Sequence, residues 1–318
     1  MKRWLILFVT LASCAQATAP KQPEQPLSGP GGQQAAHAQV RAELHGSGPQ
    51  AYWLFEPAEP TPETAPLIVF NHGWGAMDPR TYRAWINHIV RRGNIVVYPL
   101  YQDSLRSAAN TFTPNAIAAV RDSIRTLQTE PEHVKPQLDK FALVGHSMGG
   151  PISANMAATW ETEGLPVPRA IMCVEPGKTW GRPWAVIGLS DLRQIPADTL
   201  LLSIVGDDDR LVRDVDAKRI FNESTQVPLE NKNFITLVSD GHGSPALRAN
   251  HMAPVAWTNQ TVDALDFFGL WKLFDGLTDA AFFRTHRNYA LGDTPEQRFM
   301  GVWSDGVPVK PMRVTAHP

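Results

Sequence analysis

Apolar residues in this chain fall into short continuous runs separated by segments of helical spacing. Leu67–Phe70, Phe141–Val144, Ala170–Val174 and Thr199–Val205 are runs of the length and composition of strands buried on both faces. Asn94–Tyr98 and Phe234–Ser239 read the same way, while Ala38–His45 and Ala51–Phe55, joined by Gly46-Ser47-Gly48, predict a hairpin. Helices are predicted between the runs. Asp78-Pro79 supplies an N-cap and a first-turn proline for a helix reaching about Arg92. Thr113-Pro114 opens another, with Ile117, Val120, Ile124 and Leu127 on one face, and Val212–Glu223 forms a third. Buried strands alternating with helices predict an α/β fold: a mostly parallel sheet covered by helices on both sides.

The two ends break this pattern. Residues 1–17 read as an export signal, with Lys2 and Arg3 followed by the apolar stretch Trp4–Ala12. Nine residues rise only about 14 Å as a helix, far short of a bilayer core of about 30 Å. Leu11-Ala12-Ser13-Cys14 resembles the lipobox of bacterial lipoproteins, in which the cysteine is acylated; Ala15-Gln16-Ala17 instead fits ordinary secretory cleavage. The other cysteine, Cys173, lies in an apolar run and is expected to be buried, which favours Cys14 as a lipid attachment point over a disulfide. Residues 18–37, rich in Pro, Gln, Gly and Ser, read as a flexible linker that holds a domain at 38–275 clear of a membrane. The segment 276–318 is expected to pack on that domain as an extension of short strands. The expected setting is the cell envelope, lipid-anchored on its periplasmic or surface side, or otherwise periplasmic or secreted.

Composition narrows the chemistry. A formal net charge of −2 without a basic cluster argues against a nucleic-acid partner. No His/Cys/Glu spacing matches a zinc pattern and no G-x-G-x-x-G follows the first parallel strand, so no metal and no cofactor is expected. Most of the ten tryptophans are expected in packing roles, with Trp180 and Trp184 as candidates to line a pocket.

Phe141–Val144 ends in Gly145-His146-Ser147-Met148-Gly149, the G-x-S-x-G pattern of a serine set on a sharp turn between strand and helix. Glycines two positions before and after the serine let strand and helix pass closely, and the following helix directs free N–H groups at developing negative charge. With the order of strands and helices, this motif makes residues 38–275 resemble the α/β-hydrolases, and the resemblance implies an eight-stranded sheet with a short cap. It also implies a chain order of serine, acid, histidine.

On that resemblance Ser147 is the nucleophile. Gly206-Asp207-Asp208-Asp209-Arg210-Leu211-Val212 follows the strand Thr199–Val205, and Asp209 has the family's spacing from Gly206 and Val212, with Asp208 as the alternative. His242, in the glycine-flanked loop just past Phe234–Ser239, is the expected base, with His251 as the alternative nine residues on. His72-Gly73-Trp74-Gly75 looks like the HGxG loop that supplies half of an oxyanion hole, which implies the backbone N–H groups of Trp74 and Met148 as donors. GHSMGG resembles the cutinase, polyester-hydrolase and dienelactone-hydrolase-like branch, implying a small or polymeric carboxylic ester as substrate. A peptidase or amidase with the same triad, and a non-catalytic envelope lipoprotein, are the other readings.

Overall fold

The computed structural model describes residues 19–179, 182, 185–256 and 262–318. The expected signal segment with Cys14, and Trp180 and Trp184, lie outside the described residues.

Among the described residues nine strands form one sheet, one more than the resemblance implies. They are β1 Gln39–His45, β2 Tyr52–Ala58, β3 Thr64–Asn71, β4 Ile95–Pro99, β5 Lys135–His146, β6 Pro168–Val174, β7 Leu200–Gly206, β8 Lys232–Leu237 and β9 Arg313–Thr315. Their order across the sheet is β1-β2-β4-β3-β5-β6-β7-β8-β9. β3 to β8 are parallel, β1 and β2 add antiparallel at one side, and β9 adds antiparallel to β8. The extra strand is β9, too short to carry a periodic signal of its own.

Two apolar layers sandwich the sheet, as strands buried on both faces require. One packs around α1 (Arg83–Arg91) and the helical stretch from Leu265 through Phe283. The other packs around α2 (Phe112–Thr129), α3 (Gly149–Ala158) and α4 (Val215–Glu223). Every residue of α3 is buried, so this helix stands against the middle of the sheet with no solvent-facing stripe. Pro151 sits in its first turn, where the missing N–H has no intrahelical partner to lose.

The ends depart from expectation. Residues 19–37 are not a free tether: Gly31 N–H donates to Asp275 at 2.7 Å, and Ala36 and His37 N–H both donate to Arg91 O. The buried Asp275 carboxylate also meets His88 at 2.8 Å and Arg92 at 3.3 Å. Burial alone would raise the Asp275 carboxyl, but these two partners hold it below its ordinary value. The expected boundary at 275 falls inside α5 (Lys272–Phe283), so the C-terminal part is continuous with the domain. Beyond it, the buried Lys272 ammonium donates to the carbonyls of Glu296, Gln297 and Phe299, and α6 (Pro295–Arg298) leads on to β9.

Candidate active site

The site is built where β5, β6, β7 and β8 end. β5 turns into α3 through Ser147, whose φ of +54° is the strained left-handed turn the G-x-S-x-G pattern predicts. A Cβ on Gly145 would lie 2.0 Å from Gly149 O, and one on Gly149 would lie 2.0 Å from Asn71 O. Glycine is therefore a steric necessity at both positions. Ser147 itself is held from behind, its N–H donating to Val174 O on the neighbouring strand at 3.0 Å.

Ser147 Oγ lies 3.0 Å from Nε2 of His251, and His251 Nδ1 lies 2.8 Å from Oδ2 of Asp209. An acceptor-only carboxylate fixes the proton on Nδ1, so the lone pair on Nε2 faces the serine O–H. The other Asp209 oxygen accepts from the N–H groups of Leu211 and Val212 at 2.8 and 3.1 Å. Burial pushes the Asp209 carboxyl up, but His251 and these two N–H groups hold it below its ordinary value. Its neighbours are engaged elsewhere. Asp207 accepts from Ser239, and Asp208 pairs with the exposed Arg210.

His242 is not in this site. Its Nε2 pairs with Asp305 at 2.8 Å on the C-terminal segment, and the side chain is about one-third exposed. The loop after β8 explains the correction. Asp240 and Leu247 exchange both backbone hydrogen bonds, closing a small hairpin with Gly241-His242-Gly243-Ser244-Pro245 as its tip. The chain then doubles back, Ala249 O accepting from Asp208 N–H, and this return carries His251 over Ser147. Asp240 is the fastening: its Oδ2 accepts from Trp303 Nε1 at 3.1 Å and Lys310 N–H at 3.0 Å. Those partners lie more than sixty residues downstream. Glycine, serine and proline around His242 are nevertheless turn-tip chemistry, a signal that favours an outward-facing histidine.

The His72–Gly75 loop lies directly beside the serine. A Cβ on Gly73 would meet Ser147 Cβ at 3.3 Å and His146 Nδ1 at 3.4 Å. Gly75 N–H donates to Gln102 at 2.9 Å, Tyr101 O–H donates to His72 O, and the His72 ring stacks on Tyr101. The backbone N–H groups of Trp74 and Met148 have no hydrogen-bond partner among the described residues. The Trp74 side chain is exposed at the rim.

Behind Ser147, His251 and Asp209 stands a second group of side chains that no sequence motif marks. Tyr82 Oη accepts from Gly73 N–H at 3.0 Å and donates to His146 Nδ1 at 2.7 Å. His146 Nε2–H then donates to the backbone oxygen of His251 at 2.9 Å. The chain of bonds ties the glycine loop to the loop carrying His251. Burial, with His251 alongside, lowers the His146 imidazole to about 3, so it is neutral, as a single Nε2–H requires. Beside it stands Glu175 at the end of β6, 1% exposed and itself at positive φ. Glu175 Oε2 lies 3.3 Å from His146 Nε2 and 3.9 Å from His251 Nδ1, and neither carboxyl oxygen has a hydrogen bond among the described residues. Burial, reinforced by the Asp209 charge, raises this carboxyl well above its ordinary value, which favours the protonated form. Cys173, also buried, has its thiol pushed up to about 12 and is inert.

A family model described as Chlorophyllase matches residues 29–181. The matched stretch holds the glycine loop, Ser147 and Glu175, and ends before Asp209 and His251. Over it the chain is similar to that family, and with the nine-stranded sheet the match identifies an α/β-hydrolase fold. No curated protein matches the chain.

Proposed function

We propose that this α/β-hydrolase is a serine esterase that cleaves carboxylic esters through an acyl-enzyme. The observation that carries the reading is the continuous path from Ser147 Oγ through His251 to Asp209, at 3.0 and 2.8 Å. Similarity to the chlorophyllase family over residues 29–181 supports ester hydrolysis as the reaction class.

His251 Nε2 takes the serine proton as Oγ attacks the ester carbonyl carbon, and Asp209 steadies the resulting imidazolium. The tetrahedral oxyanion is received by the N–H groups of Trp74 and Met148, reinforced by the N-terminus of α3. Collapse expels the alkoxide, which leaves as the alcohol with the proton from Nε2. Water then repeats the sequence: His251 deprotonates it, the acyl–Oγ bond breaks, and the acid departs with Oγ reprotonated.

The reading extends to location: Cys14, acylated after signal removal, anchors the enzyme to a bacterial envelope membrane. Incorporation of labelled palmitate into the wild type but not into Cys14→Ala tests this.

A fluorophosphonate probe and p-nitrophenyl esters test the chemistry. Wild type is expected to be labelled at Ser147 and to turn over the ester. Asp209→Asn should lower kcat about 10⁴-fold by reversing the imidazole tautomer. His251→Ala should abolish turnover, whereas His242→Ala should leave it close to wild type. Folded wild-type protein that takes no label overturns the proposal, and so does loss of turnover in His242→Ala with His251→Ala active. Faster cleavage of matched p-nitroanilides than of esters would replace esterase by amidase.

A further inference from the structure

At the sheet edge remote from Ser147, two histidines and two glutamates converge from separate parts of the chain. Glu43 and His45 are alternate residues of β1, so both side chains stand on the same face of the edge strand. Glu130 ends α2 and His133 lies in the turn before β5, a spacing of three. Ligand atoms of Glu43, His45 and His133 all lie within 4.8 Å of one another. His133 Nε2 is 3.3 Å from Glu130 Oε2, and His45 Nε2 is 3.9 Å from Glu43 Oε1.

Both imidazoles are set in place from behind. The His133 ring is buried, and its Nδ1 lies 2.8 Å from Glu56 Oε2, a carboxylate that must accept. Arg41 donates to that same Glu56 oxygen, and its guanidinium also stands at hydrogen-bond distance, 2.7 Å, from His133 Nδ1. Metal binding takes the tautomer whose Nδ1–H donates to Glu56, which leaves the Nε2 lone pair facing the cluster. A carboxylate behind a ligating histidine is the usual outer support of a metal site. The His45 ring stacks at 6° on Tyr52, its cross-strand partner, and the Tyr52 hydroxyl is tied to Asp122 and Thr126. Yet His45 Nε2 is buried without a hydrogen-bond partner. Two oriented nitrogens, one of them unsatisfied, face two half-exposed carboxylates that can swing.

We infer that Glu43, His45, Glu130 and His133 bind a divalent transition-metal ion of the zinc type. Bonds of about 2.0–2.1 Å in a tetrahedron set neighbouring ligands about 3.4 Å apart. The His133–Glu130 distance already meets this, and rotation of the two glutamates closes the rest. Two imidazoles and two carboxylates suit Zn²⁺ or Co²⁺ over Mg²⁺ or Ca²⁺, which take oxygen ligands. The ion clips β1, hydrogen-bonded to β2 alone, to the turn that leads into β5 at the centre of the sheet. It is a stabilising site, separate from the chemistry at Ser147.

Full-length protein stripped with EDTA and dialysed is titrated with ZnCl₂ by calorimetry, and with CoCl₂ by visible absorption. The expected result is one equivalent bound, intense tetrahedral Co²⁺ bands and a zinc-dependent rise in Tm. His45→Ala should weaken binding at least tenfold and remove the rise in Tm, and the conservative pair Glu43→Gln and Glu130→Gln should weaken it without unfolding the protein. His133→Ala is avoided as the sole probe because it would open a void beside the Arg41–Glu56 pair. Absence of stoichiometric binding overturns the inference, as does equal affinity in wild type and His45→Ala. Zinc that binds His45→Ala as tightly and blocks ester hydrolysis would assign it to His146, Glu175 and His251, again overturning it.

Discussion

Glu175 offers a quantitative test of the electrostatics behind the triad. If its carboxyl is protonated in the folded protein, the native state carries a proton that the unfolded chain has released above about pH 4.3. Because the folded value is raised, the stability linked to this group is fully present below the unfolded value. It declines as pH rises toward the folded value. The slope is about −1.4 kcal/mol per pH unit for one proton, so about 2.7 kcal/mol between pH 5 and pH 7. Glu175→Gln keeps the shape and removes the ionisation. The charged and titratable groups facing it, His146, His251 and Asp209, remain in the variant. His146, neutral when folded, costs stability as pH falls below about 6.5, but it does so in both proteins and drops out of the difference. Urea unfolding of wild type and Glu175→Gln at half-unit steps should show the variant gaining about 2.7 kcal/mol relative to wild type from pH 5 to pH 7. Parallel curves over that range would refute the reasoning, because they would mean that the folded protein holds no proton at Glu175 and His146 that the variant lacks.

Three further outcomes follow from the same geometry. Gly149→Ala, whose Cβ would press on Asn71 O at 2.0 Å, should destabilise by about 3 kcal/mol in denaturant melts and suppress fluorophosphonate labelling. Asp275→Ala leaves His88, Arg92 and Gly31 N–H without their shared acceptor and should cost about 3–5 kcal/mol, with faster proteolysis of residues 19–37 as the local readout. Asp240→Ala should lower kcat about 10²-fold by loosening the hairpin that aims His251, with only about 1–3 kcal/mol of global stability lost, whereas Asp305→Ala should do neither.

Local signals in the sequence reached the strand–turn–helix at Ser147 and the alternation of buried strands and helices, because each rests on neighbours in the chain. Asp209 follows from the spacing to Gly206 and Val212 that the resemblance implies, and the bonds it accepts from Leu211 and Val212 are likewise local. The choice between His242 and His251 is local only in the turn-tip residues around His242. It depends on Asp240 meeting Trp303 and Lys310, and no property of residues 238–252 reveals that contact. The supposed tether failed for the same reason. Its composition is that of a linker, but Asp275 supplies a buried acceptor for Gly31, and the carbonyl of Arg91 captures Ala36 and His37. Glu175 belongs to no motif along the sequence. Its role emerges from burial against two histidines, which single-sequence patterning does not contain.

The Asp240–Trp303 fastening has a consequence for biogenesis. Ribosomes make Ser147, Asp209 and His251 well before Trp303 and Lys310, so a nascent polypeptide can assemble its nucleophile and acid while the imidazole still swings free. Competence at the proposed site therefore waits on residues translated after all three of its side chains, and cannot precede the docking of Trp303 and Lys310 on Asp240.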